Sequence, residues 1–186
     1  MKKFLFLFLL LPNILFADQI IMGGSEIALS ASVTNYANNW VGGISVYGTV
    51  ANYGGLTAAD GTLKKLIVNL SGDPDNGAGT QSYTFTLVYD GSDSALTCAI
   101  SDGQTSCSLD VSVAVVANKR LSLKIVPANT PTARTAQWSW KFVATTAGES
   151  MYTSATSIAS SGNRFWAPQC WVTYAIAPFT TSDANT

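Results

Sequence analysis

Cys98 and Cys107 lie on either side of an Asp-Gly dipeptide, in Cys98-Ala99-Ile100-Ser101-Asp102-Gly103-Gln104-Thr105-Ser106-Cys107. Asp-Gly is a preferred centre of the two-residue hairpin turn, because both central residues of that turn need positive φ. With Asp102 and Gly103 as the loop, Ser101 faces Gln104, Ile100 faces Thr105, Ala99 faces Ser106 and Cys98 faces Cys107. The expected chemistry is a disulfide across two strands. Counting out from the turn makes this a non-hydrogen-bonded pair with a Cα separation of about 4.5 Å, the short edge of disulfide geometry. A redox-active pair would favour Cys-x-x-Cys at a helix start, which the sequence lacks. The third cysteine, Cys170, has no evident partner and reads as a small buried apolar residue.

Other reactive constellations are sparse. With no histidine in the chain, Ser-His-Asp and Cys-His catalysis and His-ligated zinc or haem iron are excluded. Asp73-Pro74-Asp75-Asn76-Gly77 gathers oxygen ligands in a glycine-containing loop, which makes Asp73, Asp75 and Asn76 a weak calcium candidate. A twelve-residue calcium frame would need an acid where Thr84 stands, and the same residues build an ordinary turn. Glycoside hydrolysis needs a carboxylate pair, but the only glutamates are Glu26 and Glu149 and most aspartates sit in turn sequences. No catalytic residue and no cofactor is implied. Among the five tryptophans, Trp138 and Trp140 alternate with polar residues and read as core. Trp166, which follows a loop, and Trp40 are the candidate ligand contacts for stacking on a sugar face.

The elements that would position these residues are strands. Tyr83, Phe85, Leu87 and Tyr89 alternate with Ser82, Thr84 and Thr86; Leu121, Leu123 and Ile125 with Ser122 and Lys124; and Trp138, Trp140 and Phe142 with Gln137, Ser139 and Lys141. Period two of this kind marks half-buried strands. Further candidates are Glu26 to Thr34, Ile44 to Val50, Leu63 to Leu70, Ser94 to Ile100, Thr105 to Val116 and Cys170 to Ile176. Turn sequences such as Gly54-Gly55, Asp60-Gly61, Asp90-Gly91 and Ala117-Asn118 separate them. About nine short strands at such spacing predict an all-β, antiparallel β-sandwich. A jelly roll is favoured over an immunoglobulin-like arrangement.

The first residues read as an address. Met1 to Ala17, MKKFLFLFLLLPNILFA, has two lysines, a short apolar run and a small residue before Asp18, the form of a secretory signal peptide. The run is shorter than the roughly 20 residues needed to span a bilayer, and no later stretch reaches that length, so no membrane span is expected once the signal is removed. The expected location is secreted, periplasmic or cell-surface, an oxidising setting that suits the disulfide. The remaining chain would carry eight basic and eleven acidic side chains, a net charge of −3, which offers nucleic acid no general attraction. One domain is expected over residues 24–178, with a long Ser/Thr/Ala/Gly-rich loop at about 145–163 and a polar tail at 179–186.

The middle of the chain resembles small jelly-roll-like structural proteins of phage, prophage and uncultured-microbe origin. The residues that carry the resemblance are Gly61 to Val68, the turn Gly77-Ala78-Gly79, Tyr83 to Leu87 leading to Asp90-Gly91, Ala95 to Ile100, Leu121-Ser122-Leu123, Thr130-Pro131-Thr132 and Trp138 to Phe142. The resemblance spans residues 61–144 and implies the fold and a non-enzymatic structural or surface role, virion-like in kind. It brings no catalytic residues. A secretory signal departs from that pattern, because a virion protein assembled in the cytoplasm needs none.

The functional expectation is therefore a secreted or surface-exposed non-catalytic structural or assembly protein, with homo-oligomerisation by strand addition from the segment Asp18 to Val33. A carbohydrate-binding module with a glycan partner is the alternative, and a glycoside hydrolase ranks below both.

Overall fold

A computed structural model describes residues 18–25, 27–37 and 55–151, and every regular element among them is a strand. In chain order these are β1 (Gln19–Gly24), β2 (Asn35–Ala37), β3 (Gly55–Leu56), β4 (Gly61–Leu70), β5 (Ser82–Tyr89), β6 (Ser92–Ser101), β7 (Ser106–Leu109), β8 (Val113–Val115), β9 (Arg120–Ala128) and β10 (Ala136–Ala144). The leader at 1–17, the strand expectations at Ile44–Val50 and Cys170–Ile176, Trp40, Trp166, Cys170 and the tail lie outside the described residues.

All pairings are antiparallel, and they form two sheets. One runs β1-β10-β4, with β7 and β8 both on the far side of β4; the other runs β2-β9-β5-β6, with β3 also on β9. Because β2 and β3 pair with one strand, and β7 and β8 with another, each couple occupies a single position. The described strands then fill eight positions in the orders 1-8-3-6 and 2-7-4-5, the two-Greek-key winding of a jelly roll. The jelly roll is thus written in the strand order itself.

Alternation produces the core. Tyr83, Phe85 and Leu87 of β5, Leu121, Leu123 and Ile125 of β9, and Trp138, Trp140 and Phe142 of β10 are all buried and meet between the sheets. Leu63, Leu66 and Val68 of β4 and Leu96 and Ile100 of β6 complete the layer. The one break in β4's alternation falls at Lys65, whose φ is 58°. The register of β4 against β10 slips between Ser139 and Lys141, so that Lys65 and Leu66 together oppose Trp140. Such a bulge re-aims the strand and returns Leu66 to the core. The gap between β7 and β8 falls beside the same bulge, β7 ending opposite Leu66 and β8 beginning opposite Leu63.

Four expectations change. Of the expected Glu26–Thr34 strand, the described residues 27–34 form no strand and bend over 31–33. Only Leu29 of its apolar residues is buried, while Ile27 and Val33 are exposed. The first described strand is instead β1, over Gln19–Gly24. The Thr105–Val116 strand is two short ones, β7 and β8. Finally, the expected excursion at 145–163 begins as a return: after β10 the chain turns through 145–150 and brings Met151, fully buried, beneath the start of β1. There the Gln19 side chain donates to the Met151 carbonyl (3.0 Å) and accepts from its N–H (2.7 Å). The rest of that loop lies outside the described residues.

Candidate functional site

The disulfide joins the expected residues by an unexpected route. Cys98 and Cys107 are bonded, with Cα atoms 5.9 Å apart, but β6 pairs with β5 and β7 pairs with β4. The two cysteines therefore belong to different sheets. The hairpin register is wrong: the chain at Asp102-Gly103 crosses from one sheet to the other. Gly103 has φ of +74° and Asp102 is not among the residues of positive φ, so the turn, closed by Gln104 N–H to Ser101 C=O at 3.0 Å, is not the type that needs positive φ at both centres. The bond clips the two sheets together along one side of the sandwich.

The calcium candidates sit in the β4–β5 loop, at the end of the sandwich where the β6–β7 and β9–β10 connections also arrive. Each of them already accepts hydrogen bonds from the chain itself. Asp73 accepts from Asp75 N–H (2.8 Å) through one oxygen and from Gly103 N–H (2.9 Å) through the other. Asp75 accepts from Gly77 N–H (2.8 Å) and Gly79 N–H (3.0 Å). The Asn76 carbonyl accepts from the Gln81 amide (2.7 Å), and its own amide donates to Thr130 C=O (2.9 Å). Arg134 and Thr132, from the β9–β10 connection, donate to the carbonyls of Asp73 and Asp75. The amides of Gly79 and then Gly77 hold the Asp75 carboxyl below its ordinary range, since donors to the charged form favour it. Asp102 is held above its ordinary range, first by desolvation and then by the charges of Asp75 and Asp73. Among the described residues no group of three or more His, Cys, Asp or Glu is arranged to hold a metal ion.

Four further aspartates also serve the fold. Asp90 pairs with Lys119 (2.7 Å), Asp93 with Lys124 and Asp18 with Lys141, while Asp60 accepts from Ala117 N–H (2.7 Å). The hydroxyl of Tyr83 donates to Thr132 C=O (3.3 Å), and burial pushes that phenol up to about 12. Of the tryptophans, Trp138 and Trp140 are 3% and 1% exposed, which removes both from any sugar platform. Their indole N–H groups find no acceptor. Trp138 is roofed by Gly23, where a Cβ would come within 2.5 Å of the indole nitrogen.

The segment Asp18 to Val33, expected to add as a strand, holds a sheet edge at Gln19–Gly24 that the sequence reading did not place. β1 borders its sheet and pairs, among the described residues, with β10 alone. Ile21 points inward and is fully buried, whereas Ile20 and Met22 point outward and are 65% and 69% exposed. No other large apolar side chains among the described residues are as open.

No family model matches the chain, and no curated protein does. Among solved structures the chain is similar to a capsid protein in the acidic stable capsid structure of Helicobacter pylori bacteriophage KHP30. The match covers 68% of this chain and 88% of that one, at 10% identity and a TM-score of 0.41. A likeness that distant assigns no role and no site residue to this chain.

Proposed function

We propose that the protein is an exported, non-catalytic structural protein that acts by assembling through its sheet edges. The observation that carries this reading is β1, an edge strand with two outward apolar side chains. A folded domain normally protects such an edge, so an edge left apolar and open is a surface for another strand. The non-catalytic part is supported by Asp18, Asp60, Asp73, Asp75, Asp90 and Asp93, whose carboxylates hold loop amides or lysines in place. Export is supported by the Met1–Ala17 pattern and by the place of β1, which starts at Gln19, so cleavage after Ala17 leaves every described strand whole. An inter-sheet disulfide suits an oxidising compartment.

Light scattering over a concentration series, run beside tryptophan fluorescence against a glycan panel, tests the reading. The proposal expects molar mass to rise with concentration and fluorescence to ignore the sugars. A strictly monomeric chain whose fluorescence shifts with glycan would replace it with the carbohydrate-binding alternative, for which Trp166 and Trp40 are the residues to substitute. Released sugar products would replace it with a hydrolase.

A further inference from the structure

We infer that β1 is the interface between two copies of this chain, paired antiparallel about a two-fold axis at Ile21. The inference rests on the assembly reading above and gives it a surface, a register and a limit.

The register follows from hydrogen-bond parity. β1 and β10 pair without a slip from Gln19↔Phe142 to Gly24↔Gln137, and the next residue continues the ladder, Ser25 N–H donating to Ala136 C=O at 2.7 Å. In an antiparallel ladder hydrogen-bonded and non-hydrogen-bonded pairs alternate. Ser25, Gly23, Ile21 and Gln19 therefore direct their N–H and C=O groups toward β10. Met22 and Ile20 direct theirs away from it, toward the open edge. The two residues whose backbone groups face outward along the sheet are the same two whose apolar side chains stand exposed above it.

A second β1 satisfies both at once. Running antiparallel about Ile21, it places Ile20 of each copy opposite Met22 of the other, as hydrogen-bonded pairs, with the two Ile21 residues facing each other as a non-hydrogen-bonded pair. Exposed apolar side chains then meet exposed apolar side chains. Asp18 falls opposite Gly24 of the other copy with its charge already met by Lys141, so no like charges are opposed. A contact in which the same patch serves both copies closes on itself, so this edge makes a dimer and no larger species. An edge of six residues covers far less than the roughly 800 Å² per partner of a standard stable interface. The pairing is therefore weak and depends on concentration.

The other edges explain why the partner lands here. β2 and β3 are three and two residues long, and β7 and β8 are four and three, too short to template much pairing. β6 is long, but its outward residues Asp93, Ala95, Thr97, Ala99 and Ser101 offer no large apolar side chain, and Cys98 ties it to β7.

Sedimentation velocity on the purified chain, compared with the Ile20→Lys/Met22→Lys double variant, tests the inference. Edge lysines oppose strand pairing, and both side chains point away from the core. The expected result is a monomer–dimer equilibrium for the wild-type chain and an association at least about tenfold weaker for the variant, with an unchanged melting temperature. If the lysine variant folds poorly, Ile20→Thr/Met22→Thr keeps strand propensity while removing the apolar contact, and its association should weaken in the same direction. Variants that associate as strongly as the wild-type chain would overturn the β1 interface and leave assembly through another surface standing. A wild-type chain monomeric at every concentration would overturn both the interface and the assembly reading.

Discussion

The two long sides of the sandwich meet the same difficulty in opposite ways. On one side the sheets end in β6 and in the split pair β7 and β8, and the Cys98–Cys107 bond clips one sheet to the other there. The outward residues of β6 are small or polar. On the other side the first sheet ends in β1, where Ile20 and Met22 stand open and no covalent tie is present among the described residues. The difference separates two jobs of a sheet edge. One side is closed to hold the fold, and the other is held from within by Ile21 and Gly23 while its outer face is left for contact.

Three substitutions sharpen that contrast. Ile21→Ala should have the largest effect, about 2–5 kcal/mol of unfolding free energy by denaturant titration, because it removes a fully buried side chain that fixes β1 to the core. A loss below 1 kcal/mol would mean that β1 is an appendage. The Cys98→Ser/Cys107→Ser variant should lose about 2–3 kcal/mol, set by the short loop the bond closes, and should remain folded because the alternating strands supply the core. Gly23→Ala should cost about 1–3 kcal/mol by forcing a methyl group against the Trp138 indole. A neutral result there would show that β1 can move away from β10 without loss.

Strand alternation made the inner layer legible from sequence. Tyr83, Phe85 and Leu87, or Trp138, Trp140 and Phe142, could face only one way, and turn sequences marked the ends of their strands. The disulfide was legible as a pair but not as a place. A two-residue hairpin and a crossover between sheets can both bring residues nine positions apart into contact, and only the backbone at Asp102 distinguishes them. The segment Asp18 to Val33 was legible as a pairing segment, but the place of β1 within it was not, for a physical reason: in Gln19-Ile20-Ile21-Met22 the outward residues are as apolar as the inward one, so period two vanishes where the edge is unusual. Glu26 to Thr34 alternates better, yet its described residues 27–34 form no strand, because after β1 the chain must cross to the other sheet. The β7–β8 break was hidden too, since it lies beside the Lys65 bulge in a different strand.

The smallest expected effect depends on pH and concerns the loop end. Asp75, lowered by the Gly79 and Gly77 amides from the ordinary 3.8, contributes stability above that value and loses it as pH falls through its lower folded value. Asp102 has the opposite sign. Raised from 3.8 by desolvation and by Asp75 and Asp73, it contributes stability that is present below 3.8 and is lost as pH rises through its folded value. Asp102→Asn should therefore raise the melting temperature at pH 7 relative to wild type and change it little at pH 3. A lower melting temperature at pH 7 would show that the Asp102 charge supports the loop.

The contrast between the two sides is tested most directly by amide hydrogen exchange, read residue by residue at low and high protein concentration. The account predicts that the Ile20 and Met22 amides exchange quickly when dilute and become protected as concentration rises, while Ile21 is protected throughout and the exchange of β6 does not change. Protection of Ile20 and Met22 already complete in dilute solution, or concentration-dependent protection appearing along β6 instead, would contradict it.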